Sequence, residues 1–318
     1  MWRARSIQKE IVTMKKIKLA NCDLDASEIS LGCMRIAEMT PQAIAHLIHT
    51  ALDEGVNFFD HADVYGGGQA EAKFAEALEM TPRVRETMIL QTKCGIRKGA
   101  FDFSKAHILE AVDGSLQRLQ TDYLDVLLLH RPDALVEPEE VAEAFTILED
   151  SGKVKYFGVS NQNPMQIELL TKFVKQKIIF NQLQLSITNT GMIDAGINVN
   201  MEIDPSIDRD GSILDYCRLK DITIQPWSPF QYGFFEGVFL DNDKFPELNQ
   251  KINQIAAAYG VTNTAIAIAW ILRHPARMQP IVGTTDANRL KDICKASDVW
   301  LTRQEWYEIY LAVGNKLP

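Results

Sequence analysis

The chain has 318 residues, 46% hydrophobic and 24% charged, a balance that excludes intrinsic disorder and allows a core burying about three quarters of the unfolded surface. Its formal net charge of -9 argues against a long nucleic-acid interface, which depends on clustered Lys and Arg, but leaves room for one small anionic ligand at a helix N-terminus. Five scattered cysteines, Cys22, Cys33, Cys94, Cys217 and Cys294, suit neither a disulfide framework nor a tetrahedral metal site. They are expected to be mostly buried thiols, with Cys94 beside a cation, Lys93, that could favour its thiolate.

The first thirteen residues carry Arg3, Arg5 and Lys9 without the apolar run of a secretory signal, and no later segment reads as a membrane span. The expectation is a leader over 1–13, then one domain over 14–318, cytoplasmic and without membrane insertion. From Asn57 onward one event repeats: a short apolar run ends in polar or Gly residues and a helical pattern follows, the signature of parallel strands joined by crossover helices. Strands are expected at 29–32, 57–60, 88–93, 123–130, 154–160, 180–186, 223–228 and 279–283. The run Val126-Leu127-Leu128-Leu129 suits a strand covered on both faces.

The helices have their own signals. Thr40 can cap the first, Pro41 sits where a missing N–H costs nothing, Ile44, Leu47, Ile48 and Ala51 form its stripe, and Gly55 stops it. Ser104 can cap a helix carrying Ile108, Val112, Leu116 and Leu119. Asn163-Pro164 begins another, with Leu169, Leu170, Phe173 and Val174 expected on the sheet; Gly260 ends a late helix and Thr262 starts the next. Two segments break the rhythm: 187–211, punctuated by Asn, Gly, Asp and Pro, and 230–245, with an aromatic cluster. Both follow strand ends and read as substrate loops, and a last helical pattern covers 302–313. Eight strand–helix units without a glycine fingerprint at the first turn favour a closed (β/α)8 TIM barrel over an open doubly wound sheet. Gly66-Gly67-Gly68 lacks the GxGxxG spacing and is read as a tight loop.

Four strand-end residues carry reactive chemistry. Asp60 and Lys93 end neighbouring strands, so a carboxylate and an ammonium should meet at one mouth. Tyr65 follows Asp60 closely enough to reach that pair, where a cation would lower the phenol's pKa from its usual value near 10. His130 closes the most apolar strand and could hydrogen-bond a carbonyl oxygen. Ser160, Asn161, Gln182, Trp227 and Thr284 end the other strands with neutral polar groups or a flat ring, suited to an amide and a planar heterocycle.

The run Gly55-Val56-Asn57-Phe58-Phe59-Asp60-His61-Ala62-Asp63-Val64-Tyr65-Gly66, with Glu71 after it, Lys93, Leu129-His130-Arg131-Pro132 and Gly158-Val159-Ser160-Asn161, resembles the ordered motifs of the aldo-keto reductase family. The likeness runs from about Lys15 to the C-terminus and is greatest to bacterial members described only as oxidoreductases. It implies Asp60, Tyr65, Lys93 and His130 as the catalytic set. It also implies Ser160, Asn161 and Gln182 at a nicotinamide carboxamide, Trp227 stacked on the ring with Ser228 beside it, and Gly283, Thr284, Asp286 and Arg289 at the adenosine phosphate. The implied reaction is NAD(P)H-dependent reduction of a small-molecule aldehyde or ketone, with NADPH expected to bind at least as well as NADH, no metal and no obligate protein partner. Gly283 stands where the family often has a basic residue, and Ile293 where it often has an adenine-binding Asn. Two other readings stay open: a Schiff-base lyase acting through Lys93, and a cofactor-sensing regulatory subunit.

Overall fold

The computed structural model describes residues 14–20 and 22–318; the leader over 1–13 lies outside the described residues. Eight parallel strands build the wall: β1 (Ser30–Gly32), β2 (Phe58–Asp60), β3 (Ile89–Cys94), β4 (Leu124–Leu129), β5 (Val154–Ser160), β6 (Ile178–Gln184), β7 (Thr223–Trp227) and β8 (Ile281–Val282). From β1 to β7 each pairs with the next in chain order, and β8 pairs back onto β1. Between β7 and β8 the Gln279 amide donates to the Ile224 carbonyl at 3.0 Å, so the sheet closes into the expected (β/α)8 barrel.

Only β5 has the expected bounds, the other strands differing by one or two residues at an end. His130 lies just past β4, β6 begins at Ile178, and only Ile281–Val282 forms ladder bonds in the last strand, where Pro280 has no N–H to give. The inward positions form layers. Phe58, Ile89, Val126, Leu128 and Phe180 fill the floor, and a hairpin pairing Lys16–Ile17 with Ala26–Ser27 closes it with Ile17, Leu19 and Ala26. Such two-residue strands have no legible period in sequence. Gly158 faces this interior, where a Cβ would meet Leu128 Cδ2 at 2.5 Å and the Phe180 carbonyl at 2.9 Å, so no larger residue fits without movement of backbone.

The helices lie outside: α1 (Pro41–Asp53), α2 (Gln69–Leu78), α3 (Lys105–Leu119), α4 (Pro138–Asp150), α5 (Pro164–Thr171), α6 (Gly191–Ile197), α7 (Ile213–Leu219), α8 (Pro246–Tyr259), α9 (Asn263–Leu272), α10 (Ala287–Cys294) and α11 (Arg303–Ala312). Thr40, Ser104, Asn163 and Thr262 accept backbone N–H groups at the starts of α1, α3, α5 and α9 as their sequence positions suggest. In α5 the buried face is Ile167 and Leu170, with Val174 just beyond; Leu169 points to solvent, a correction to the expected stripe.

The segment 187–211 is not irregular throughout: it holds α6 and a 3₁₀ turn at Asp204–Ser206. Short, Gly-flanked helices of this kind show no stripe because they bury little. The segment 230–245 contains a small hairpin, Gln231–Tyr232 against Gly237–Val238. Helix α11 packs outside the barrel, with Trp306 stacked on Trp270 of α9 at 4.7 Å and the two indole N–H groups donating to each other's backbone carbonyls at 3.0 and 3.1 Å. From there Tyr310 donates to Asp194 of α6 at 2.7 Å, tying the C-terminal helix to the loop after β6. Among the described residues no single helix is long and apolar enough to cross a membrane.

Candidate active site

The parallel register brings Asp60 beside Gln91, and Gln182 beside Ser160 and Gln225, so these strand ends open at one mouth. Lys93 is fully buried there. Its Nζ donates to Asp60 Oδ2 at 2.8 Å, to the His61 carbonyl at 2.7 Å and to Tyr65 Oη at 3.1 Å. Three acceptors match the three donors of an ammonium. Burial opposes the charge on Lys93, but Asp60 and Tyr65 outweigh it and its pKa ends above the ordinary value. For Tyr65 burial acts upward, Lys93 acts downward, and the net shift is upward. The expectation that Lys93 brings the phenol below its usual range is therefore not met: desolvation of the phenolate wins over the nearby cation, and Tyr65 is a protonated phenol at neutral pH.

The His130 ring lies edge-on to Tyr65, centroids 5.9 Å apart. Burial, then Lys93 and Arg131, hold its pKa well below the usual histidine range, so it is a neutral imidazole, with Nδ1 buried and without a partner among the described residues. Every other expected site residue joins these groups around one cavity of about 790 Å³. Lys93 stands just behind it. The amide-binding candidates are paired with one another: Ser160 Oγ donates to the Gln182 carbonyl at 3.0 Å, Asn161 Nδ2 to Ser160 Oγ at 2.7 Å, and Trp227 Nε1 to Asn161 Oδ1 at 3.1 Å. Ser228, in the left-handed region, donates to Gln231 Oε1, and Phe235 stacks on Trp227 at 5.9 Å.

At the far end Asp286 caps α10, its Oδ1 accepting from the Asn288 and Arg289 amides at 2.8 and 3.1 Å, while Thr284 Oγ1 accepts from the Asp286 amide. The Asp286 carboxylate is thus turned onto its own helix. Arg289 is exposed and without an ion pair among the described residues, and a Cβ on Gly283 would have nothing within 4 Å.

Three interior residues escaped the sequence reading. Gln91 Nε2 donates to Asp60 Oδ1 at 2.6 Å and to Gln225 Oε1 at 2.9 Å, Gln182 Nε2 reaches the same two acceptors at 3.1 and 3.3 Å, Gln225 Nε2 donates to Gln279 Oε1 at 2.9 Å, and Gln279 Nε2 to the Ser27 carbonyl at 2.7 Å. This amide ladder runs from the floor hairpin to the Asp60 carboxylate. The available signal was a polar residue at an inward position of otherwise apolar strands, as in Ile89-Leu90-Gln91. Glu71 is buried behind Lys93, accepting from Thr92 and paired with Arg118 at 2.7 Å. Cys94 is buried and burial pushes its pKa well up, which removes the reactive-thiolate expectation.

The aldo/keto reductase family model matches residues 28–311. An uncharacterized oxidoreductase, YcsN, of Bacillus subtilis is 36% identical, with 96% of this chain and all of that protein covered. A 6-dehydroglucose reductase of Agrobacterium fabrum is 33% identical over the same shares. Among solved structures, an aldo/keto reductase from Klebsiella pneumoniae, in complex with NADP and acetate, superposes with a TM-score of 0.73 at 24% identity, covering 93% of this chain and 94% of that one.

Proposed function

The chain belongs to the aldo/keto reductase family and is an NAD(P)H-dependent carbonyl oxidoreductase, and from that premise we propose that it reduces an aldehyde or ketone to the alcohol with Tyr65 as the proton donor. The observation that carries this reading is the Tyr65–Lys93–Asp60 chain of 3.1 and 2.8 Å beside a neutral His130. When bound, the reduced nicotinamide supplies hydride to the carbonyl carbon.

The residues fit such a cofactor. A single cavity leads from the phenol and His130 Nδ1, past the amides of Asn161 and Gln182 and the flat Trp227, to the start of α10 and the guanidinium of Arg289, and neither His130 Nδ1 nor that guanidinium has a partner among the described residues. Ser160, Asn161 and Gln182 would hold the carboxamide by exchanging their mutual hydrogen bonds for bonds to it. Trp227 and Ser228 would flank the ring, and Gly283, Thr284, Asp286 and Arg289 the adenosine phosphate. Asp286 is engaged in capping, which favours the 2′-phosphate on Arg289 over a 2′-hydroxyl on Asp286 and hence NADPH over NADH.

His130 orients the substrate oxygen, Tyr65 gives its proton to that oxygen, and Lys93 steadies the phenolate left behind. Asp60 holds Lys93, with Gln91 and Gln182 keeping its other oxygen in place. The same contacts weigh against a Schiff-base role: an ammonium with three acceptors and a raised pKa has no lone pair to attack with. A carbonyl panel, including the sugar aldehyde indicated by the relatives' name, assayed with NADPH and NADH tests the reading. Substrate-dependent loss of absorbance at 340 nm is expected. Oxidation no faster than in buffer across the panel would overturn it and return the regulatory-subunit reading.

A further inference from the structure

We propose that Arg131 makes this a reductase for carbonyl compounds that also carry a carboxylate, the guanidinium taking the carboxylate while Tyr65 and His130 take the carbonyl oxygen. The inference rests on the carbonyl-reductase reading and names the substrate class of that same site.

Arg131 immediately follows His130 where β4 ends, and lines the catalytic end of the cavity. Its guanidinium lies 5.7 Å from the centre of the Trp227 ring. It is half-buried, yet among the described residues it makes no hydrogen bond and no ion pair, so five N–H donors have no protein acceptor. Taking a cation partly out of water with no anion beside it is unfavourable, and burial accordingly draws the Arg131 pKa down.

The nearby carboxylates are engaged elsewhere. Asp133, two residues on, accepts from the Leu135 amide at 2.8 Å through Oδ1 and from the Phe103 amide at 2.9 Å through Oδ2. Asp60 is shared among Lys93, Gln91 and Gln182. Arg35, which also lines the cavity, likewise has no ion pair among the described residues. In a chain whose net charge is -9, Arg131 next to His130, with Arg35 also on the cavity wall and neither ion-paired among the described residues, forms a local site for a negative charge. Arg131 also sits within electrostatic reach of both His130 and Tyr65. One small molecule can therefore place a carbonyl oxygen on the phenol and imidazole and a carboxylate on the guanidinium, whose planar fork matches two carboxylate oxygens. The reaction is otherwise unchanged: the carbonyl carbon gains hydride from the reduced cofactor, its oxygen gains the Tyr65 proton, and the carboxylate passes through untouched.

The test compares 4-carboxybenzaldehyde with methyl 4-formylbenzoate, a pair alike in ring and aldehyde but differing in the charge, using the full chain and NADPH. The parent is expected to favour the acid by at least about tenfold in kcat/KM, the scale of one charge-assisted contact. In Arg131→Met the ratio should fall toward one, whatever loss the two substrates share, and in Arg131→Lys it should recover in part. Parental turnover of the ester at or above that of the acid would overturn the carboxylate assignment and leave carbonyl reduction standing. An unchanged ratio in Arg131→Met, or a weaker NADPH dissociation constant as its only effect, would also overturn it and move Arg131 to a structural or cofactor role. No NADPH oxidation with either aldehyde or with the wider panel would overturn both readings together.

Discussion

Replacing Tyr65 with Phe separates the proton donor from everything else the residue does. The phenol oxygen accepts from Lys93 at 3.1 Å, but Lys93 keeps Asp60 at 2.8 Å and the His61 carbonyl at 2.7 Å, and the ring it faces at 4.9 Å survives the change. Loss of that one hydrogen bond should cost about 1 kcal/mol of stability, a melting shift of a few degrees at most. Catalysis has more to lose. A positioned acid contributes about a hundredfold or more, equivalent to about 2.7 kcal/mol of barrier. Single-turnover decay of NADPH absorbance under saturating carbonyl should therefore slow at least about a hundredfold, while NADPH titration by fluorescence changes little. A variant that keeps more than half the parental single-turnover rate would remove Tyr65 from the proton-donor role.

Lys93→Met should leave the Asp60 carboxylate buried with only the Gln91 and Gln182 amides, costing about 3–5 kcal/mol in urea unfolding. Its activity loss should be greater near neutral pH than at high pH, and equal losses across the range in folded protein would exclude a role for the cation in proton transfer. Gly283→Lys places a cation where a Cβ has open space; NADPH affinity should rise about tenfold and NADH affinity much less, with equal gains counting against a phosphate nearby. His61 is fully buried with neither ring nitrogen partnered among the described residues, and burial, then Lys93, lowers its pKa from 6.5 to about 3. The unfolded chain therefore binds this proton first as pH falls through 6.5, and stability is lost on acidification. Between pH 7 and pH 5 the loss from this residue is about 2 kcal/mol, so His61→Met should show a shallower fall in urea midpoint; an identical fall in parent and variant would contradict the burial of an uncharged imidazole.

The architecture and the positions of the chemical groups were legible in the linear chain because both depend on short-range patterns. Eight apolar runs alternating with capped helical stripes specify parallel strands with crossovers, and polar residues at the ends of those runs must emerge at one mouth once the barrel closes. What the linear chain could not carry was the pairing of side chains from distant strands. Gln91, Gln225 and Gln279 form a ladder only because inward positions of β3, β7 and the approach to β8 converge on one axis. The direction in which Asp286 points depends on the local turn into α10, and the absence of a partner for Arg131 among the described residues depends on where Asp133 turns. The Tyr65 pKa is decided in the same way: the cation beside it was foreseeable from Lys93, but the larger opposing effect is desolvation, which sums over every atom packed around the phenol and exists only when the chain is folded.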